Sequence, residues 1–151
     1  MKDVFDRANS QTFIDRINSL KEGTTPLWGK MNAGQMLAHL NVAYQNAIDI
    51  KLVTKPSIIK KIFLRSFVKP FVVGEKPYPK NTPTMKEFKM DGQKDFEFER
   101  KRLIGNIQKV QQLGAEAFEG KAHNGFGKLS SREWSNLFSK HLEHHLSQFG
   151  V

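Results

Sequence analysis

The sequence predicts an all-α bundle, on three observations. Four to five segments place apolar residues at helical spacing, the loops between them are modest, and strand-like alternation is nearly absent. No internal repeat, low-complexity tract or glycine-rich phosphate loop interrupts this pattern. With 151 residues, the chain has the size of one domain, residues 1–151, and enough length for a sizeable core.

The first helix is expected from a cap at Ser10 to about Lys21, with Phe13, Ile17 and Leu20 on one side. Glu22-Gly23-Thr-Thr-Pro26 ends it, and Leu27-Trp28-Gly29-Lys30-Met31 follows as a connector whose tryptophan tucks into the core. Asn32 opens the second helix, Ala33 to Ile50, with Gln35 in capping-box register. At about 100° per residue, Ala33, Met36, Leu37, Ala43, Tyr44 and Ala47 fall within about 60° of Leu40, while His39 falls near −100°. Periodicity alone therefore makes His39 a half-exposed boundary residue.

Residues 51–70 form a further amphipathic helix after Pro56, with Ile59, Ile62, Phe63 and Phe67 on one side and Lys61, Arg65 and Lys69 on another. Such a helix can lie on an anionic membrane or on nucleic acid, but ordinarily it packs its apolar side and turns its lysines to water. Pro70 to Pro83 reads as a long turn-rich loop, of a length that often serves as a lid, and Thr84 to Met90 as a transition. Phe96, Leu103, Ile107 and Val110 then mark a helix that stops at Gly114, with Asp95, Glu97 and Glu99 in its first turns and Lys109 near its end. The loop Ala115 to Leu129 carries His123, Gly125, Phe126 and Gly127.

The last helix holds the chemistry. Ser130 and Glu133 form a capping box, and His141, His144 and His145 lie on the helix that follows. Counting from Trp134, His141 and His145 fall about 20° either side of the centre of the apolar face, and His144 near −80°, at its edge. Two imidazoles at i and i+4 on a buried face suit one transition metal; two satisfied core histidines are the other reading. Zincin-type helices need Glu after the first His or before the last, where this chain has Leu142 and His144, so a helical metalloprotease is disfavoured. No serine is tied to a base in a Ser-His-Asp arrangement.

Composition narrows the classes further. The absence of cysteine excludes disulfides, thiolate metal sites and a cysteine nucleophile. Met1-Lys-Asp-Val-Phe-Asp lacks an apolar signal core and no membrane-length apolar run occurs, so a cytoplasmic protein is expected. The net charge is +9, but residues 51–80 alone carry eight Lys or Arg against Glu75. Basicity confined to one segment argues against nucleic acid or membrane as a partner of the whole domain.

The blocks Gln35-Met-Leu-Ala-His39-Leu and His141-Leu-Glu-His144-His145-Leu-Ser-Gln148-Phe resemble those of the DinB/YfiT-like superfamily of four-helix-bundle metalloenzymes. More closely the chain resembles one small uncharacterised family within it. The matching blocks are Leu27-Trp28-Gly29-Lys30-Met31, Asn81-Thr82-Pro83-Thr84 with Phe88, Phe96-Glu97-Phe98-Glu99, His123 with Phe126-Gly127-Lys128-Leu129, and Trp134. The resemblance implies a DinB-like antiparallel four-helix bundle, with an additional short helix and the long Pro-rich loop. It also implies a divalent metal, nickel or zinc, held by His39, His141 and His145, with coordination positions open to water or substrate.

In that picture a residue at the margin of a stripe, such as His39, can look into a cleft between helices. His144 becomes a second-shell or surface residue, and Gln148 hydrogen-bonds a ligand or a bound water. Relatives in the superfamily are thought to transfer thiols or hydrolyse amides, so the expected function is metal-dependent activation of water or a low-molecular-weight thiol. The alternative is a non-catalytic metal- or small-ligand-binding bundle. A small-molecule substrate is the expected partner, and a homodimer is compatible with an exposed amphipathic segment. This chain departs from the resemblance after His123, where Asn124 and Gly125 replace a proline and a bulky residue, which predicts a looser loop and leaves a substrate contact from His123 in question.

Overall fold

The computed structural model describes residues 1–49, 56–83 and 88–151. The predicted extension of the second helix to Ile50, the lysines Lys51 and Lys55, and the start of the transition at Thr84 lie outside the described residues. Six α-helices occur among the described residues: α1 (Arg7–Ser19), α2 (Ala33–Ile48), α3 (Ile58–Phe63), α4 (Lys69–Val73), α5 (Phe96–Leu113) and α6 (Ser131–Gln148). A π-turn, Leu64–Val68, joins α3 to α4 without a break.

The all-α bundle expected from the sequence is what forms, and its hydrogen bonds give the order of the helices. Near the start of α2, Gln35 Nε2 donates to the Gly92 carbonyl, and further along Asn41 reaches Glu99 and Asn106 on α5. Those two helices thus run in the same sense. The contacts Asp3 to Ser135 and Arg16 to Glu143 show α1 and α6 doing likewise. Between the pairs the sense is opposite, since Tyr44 stacks on Phe138 while His39 meets His141 and His145 further along α6. Two neighbours of the same sense need a long crossover, and residues 49–95 supply it.

Local signals account for most helix limits. Asn32 with Gln35 and Ser130 with Glu133 form complete capping boxes. Asp95 caps α5, and Gly114 ends it at φ 71°, a left-handed conformation that favours glycine. The expected start of α1 is corrected: Asp6 is the cap, accepting from the Asn9 amide, and Ser10 lies buried inside the helix with its hydroxyl on the Val4 carbonyl. Phe13, Ile17 and Leu20 nevertheless face inward as predicted.

The aromatic core sits under α6. Tyr44 stacks on Phe138 at 4.4 Å, Phe138 on Trp134 at 5.6 Å, and Phe118 meets both rings of α6 edge-on. A polar strut crosses between α2 and α5: Asn41 Nδ2 donates to the carbonyl and carboxylate of Glu99, and its Oδ1 accepts from Asn106. Glu99 is therefore buried and satisfied, and does more than balance a helix dipole.

Three further expectations are corrected. Ile59, Ile62, Phe63 and Phe67 do not pack; Leu64, Val68, Val72 and Val73 face the core instead. Apolar residues occupy two neighbouring stripes of this helix, and the branched aliphatic stripe one residue further on takes the interior. Pro70 does not begin a loop: it stands inside the helix, in α4 directly after the π-turn, and the helix runs on to Val73. The Ala115–Leu129 loop contains a 3-10 turn, Ala115–Phe118, and a small hairpin, β1 (Ala122–His123) with β2 (Gly127–Lys128), in the register His123 to Gly127.

That hairpin is not loose. His123 Nδ1 accepts the amides of Gly125 and Phe126, its ring stacks on Phe126 at 4.2 Å, and Leu129 N donates to the Lys121 carbonyl. A Cβ at Gly125 would stand 3.0 Å from Leu64 Cδ1, so glycine here lets the π-turn pack against the hairpin.

Candidate metal centre

Helices α2 and α6 bring His39, His141 and His145 together. One ring nitrogen from each lies within 4.8 Å of the others, a group that could hold a metal ion. The Nε2 atoms of His39 and His141 are 2.8 Å apart. Two nitrogens each about 2.0–2.1 Å from one ion at a tetrahedral angle lie about 3.3 Å apart. The observed contact and the outer bound bracket that spacing. His39 is buried, although its helical angle puts it at the edge of the α2 stripe: the edge faces the α2–α6 cleft, so it is covered by the other helix.

Each outer ring is oriented from behind. His39 Nδ1 lies 2.8 Å from the Phe88 carbonyl, which can only accept, so the proton sits on Nδ1 and the Nε2 lone pair faces the cleft. His145 is set by a two-step relay. Gln148 Nε2 donates to the Trp28 carbonyl at 2.6 Å, which fixes the amide so that its Oε1 meets His145 Nδ1 at 2.7 Å. His145 Nε2 is then also free to act as a donor of electrons. With the His39 proton on Nδ1, His141 donates its Nε2 proton to His39; to ligate a metal through Nε2 it would carry that proton on Nδ1 instead.

Electrostatics suit a cation. Burial lowers the pKa of His39, pushes His145 down to about 3, and, with the neighbouring histidines adding to it, holds His141 well below its ordinary value. All three are neutral at pH 7, as metal ligands must be. Their outer partners, a carbonyl and an amide, carry no charge, so a divalent ion would keep its full positive charge.

The remaining sequence-predicted residues fall beside this group. His144 is half-buried, its ring 5.0 Å from His145 and edge-on to Trp28 and Tyr78 at 6.0 and 5.7 Å. His123 stays away from the cleft, with its nitrogen spent on its own hairpin. Burial pushes its pKa down to about 4.

Sequence reasoning missed three supports. Trp28 does not join the hydrophobic core as expected but lies half-buried beside the site: its carbonyl anchors Gln148, Lys80 lies 4.5 Å over its ring, and its buried indole N–H has no hydrogen-bond partner among the described residues. Lys140, one residue before His141, is buried and donates to the carbonyls of Phe71 and Gly74, closing the end of α4. Gly29 has φ 85°, and a Cβ there would come within 2.4 Å of Gln148 Nε2. The glycine in Leu27-Trp28-Gly29-Lys30 was the only signal in the sequence for this close approach.

The relay yields a direct expectation. Gly29→Ala displaces Gln148, and Gln148→Leu removes its bond to His145, so both lower affinity for a bound ion by about 10- to 100-fold. Competition with a chelating dye measures the loss. A wild-type affinity in both variants would show that Gln148 does not orient His145.

Fold and site together define a helical bundle with a buried three-histidine group capable of holding a metal ion. The chain belongs to the family described as "Protein of unknown function (DUF1569)", whose model matches residues 4–150. Comparison with curated proteins and with solved structures returns no match.

Proposed function

We propose that this protein is a cytoplasmic, metal-dependent enzyme that activates water or a low-molecular-weight thiol, as a hydrolase or a thiol transferase. The observation that carries the reading is three neutral imidazoles converging from two helices, two of them held by partners that leave Nε2 facing the cleft. The DinB-like resemblance of the His39 and His141–Gln148 blocks supports it. All-nitrogen ligation suits nickel or zinc. A divalent ion on three imidazoles supplies Lewis acidity, which lowers the pKa of an attacking water or thiol toward neutrality.

The chain's own groups supply the rest. Phe88 and Gln148 hold two ligands in their metal-binding tautomer, and Phe88's ring covers His39 edge-on at 5.8 Å. Trp28, Tyr78 and His144 form an aromatic wall next to His145, with Lys80 and a Trp28 N–H that has no partner among the described residues upon it. A cation and a spare donor on one wall orient a small substrate that bears an anionic group.

A second reading, a non-catalytic metal- or ligand-binding bundle, draws support from the absence of a carboxylate base among the described hydrogen bonds of the triad. Glu143, the nearest acid in sequence, turns away to pair with Arg16 at 2.7 Å. Turnover separates the two. Protein reconstituted with zinc or nickel is expected to consume a thiol with an electrophilic acceptor, or an amide, and to stop on chelation. Tight metal binding without turnover of either substrate class would leave the second reading.

A further inference from the structure

Ile58, Ile59, Ile62, Phe63 and Phe67 are 77, 82, 62, 56 and 70% exposed, on the continuous helix formed by α3, the π-turn and α4. Scattered exposed apolar residues are ordinary; five large ones within ten residues form a contiguous patch that calls for a partner. At about 100° per residue, Ile58, Ile62, Ile59 and Phe63 span an arc of about 140°, and buried Leu64 lies opposite. Lys61 borders the arc on one side, near −60°, and Lys60 on the other, near 200°. Phe63 and Phe67 hold each other at 5.4 Å, keeping two rings side by side at the surface.

From this we infer that the Ile58–Phe67 face is a docking surface for an anionic lipid membrane, on which the protein lies without crossing it. An apolar arc edged by lysines is the arrangement of an interfacial helix: the apolar side chains enter the acyl boundary and the cations meet lipid phosphates. Charge selects this occupant over the others. Described residues 56–83 carry six Lys or Arg against Glu75 alone, and the whole chain is +9. With Lys69 paired to Glu133 and Lys80 set over Trp28, Lys60, Lys61, Arg65 and Lys76 remain near this face, while Glu75 is neutralised by Arg132. A second copy seated here would bring like charges together. A nucleic-acid backbone offers nothing apolar to cover three isoleucines and two phenylalanines. No helix among the described residues is long and apolar enough to cross a membrane, which is consistent with surface docking.

Flotation of the full chain with vesicles of phosphatidylcholine containing about 30 mol % phosphatidylglycerol tests this. The protein is expected to float with these vesicles and to partition at least about tenfold more weakly to pure phosphatidylcholine, or to anionic vesicles in high salt. The double variant Ile62→Glu/Phe67→Glu loses binding at least about tenfold, and Lys60→Glu/Lys61→Glu loses the preference for anionic lipid. Thermal unfolding and metal content are measured on both, and Ile62→Glu/Phe67→Glu keeps the wild-type values because both side chains are exposed. Equal recovery with and without vesicles overturns the inference, as does binding indifferent to the apolar variant. A dimer that dissociates in Ile62→Glu/Phe67→Glu without vesicle binding assigns the face to a second copy. Salt-sensitive retention on heparin that ignores the apolar variant assigns it to a polyanion.

Discussion

His145→Ala is expected to cut affinity for zinc or nickel by at least about 10²-fold, enough for protein purified without an affinity tag to fall from about one bound ion per chain to almost none. The side chain contributes one of three nitrogens; among the described residues no carboxylate joins the group, and the chain has no cysteine. His39→Ala should act alike and also strand the Phe88 carbonyl that now accepts from its ring. His123→Ala is the control within the same molecule: a histidine also depressed by burial, but committed to its hairpin, should leave metal content unchanged. Elemental analysis with circular dichroism on the same samples distinguishes ligand loss from unfolding. Equal metal in wild type and a folded His145→Ala protein would contradict the assignment and remove the basis for any metal chemistry here.

What could be read from the chain is what short-range chemistry controls. Asn32 with Gln35, Ser130 with Glu133 and Gly114 each set a helix limit within a few residues, and the structure places them as caps, while Asp95, expected within the first turn, proves to be the cap itself. The i, i+4 spacing of His141 and His145 put two imidazoles on one face because helix geometry leaves no other outcome. His39 shows where that reasoning ends. Its own helix places it at a margin, and only the approach of α6 turns the margin into the wall of a cleft.

The faces of the α3–α4 helix were ambiguous for a different reason. Phe63, Phe67 and Phe71 repeat every four residues, and so do Leu64, Val68 and Val72. Periodicity cannot rank two adjacent apolar stripes; packing against α6 and the hairpin does, and it chose the second. The hairpin itself, two residues per strand, is too short to show alternation. The Trp28–Gln148–His145 relay joins residues 120 positions apart, a separation at which sequence carries no local mark.

The second large effect is acid instability. Burial holds His39, His123, His141, His144 and His145 all below their ordinary value of 6.5, with His123 at about 4 and His145 at about 3. A lowered folded-state pKa means that, as pH falls below about 6.5, the unfolded chain takes up protons that the folded chain refuses. Stability contributed by these rings is therefore complete above pH 6.5 and lost on the way down to each folded pKa. The slope is about 1.4 kcal/mol per pH unit for each ring, so His123 and His145 alone withdraw about 5 kcal/mol by pH 4.5. That is comparable to the whole stability of many domains of this size.

Lowered carboxyls such as Glu133 and Glu143, held by Lys69 and Arg16, add a loss of the same sign at still lower pH. Metal-free protein should accordingly unfold cooperatively between about pH 5 and 4, with a lower urea midpoint at pH 5 than at pH 7. Zinc should move the transition to lower pH, since an ion that needs neutral imidazoles opposes their protonation. The variant His145→Leu should also move it downward, by removing a ring that unfolding allows to charge. A urea midpoint unchanged from pH 7 to pH 4.5 would mean that the cleft already admits water and protons to its histidines. The three rings would then be a hydrated cluster, and the neutral, low-dielectric environment on which their metal chemistry depends would be lost.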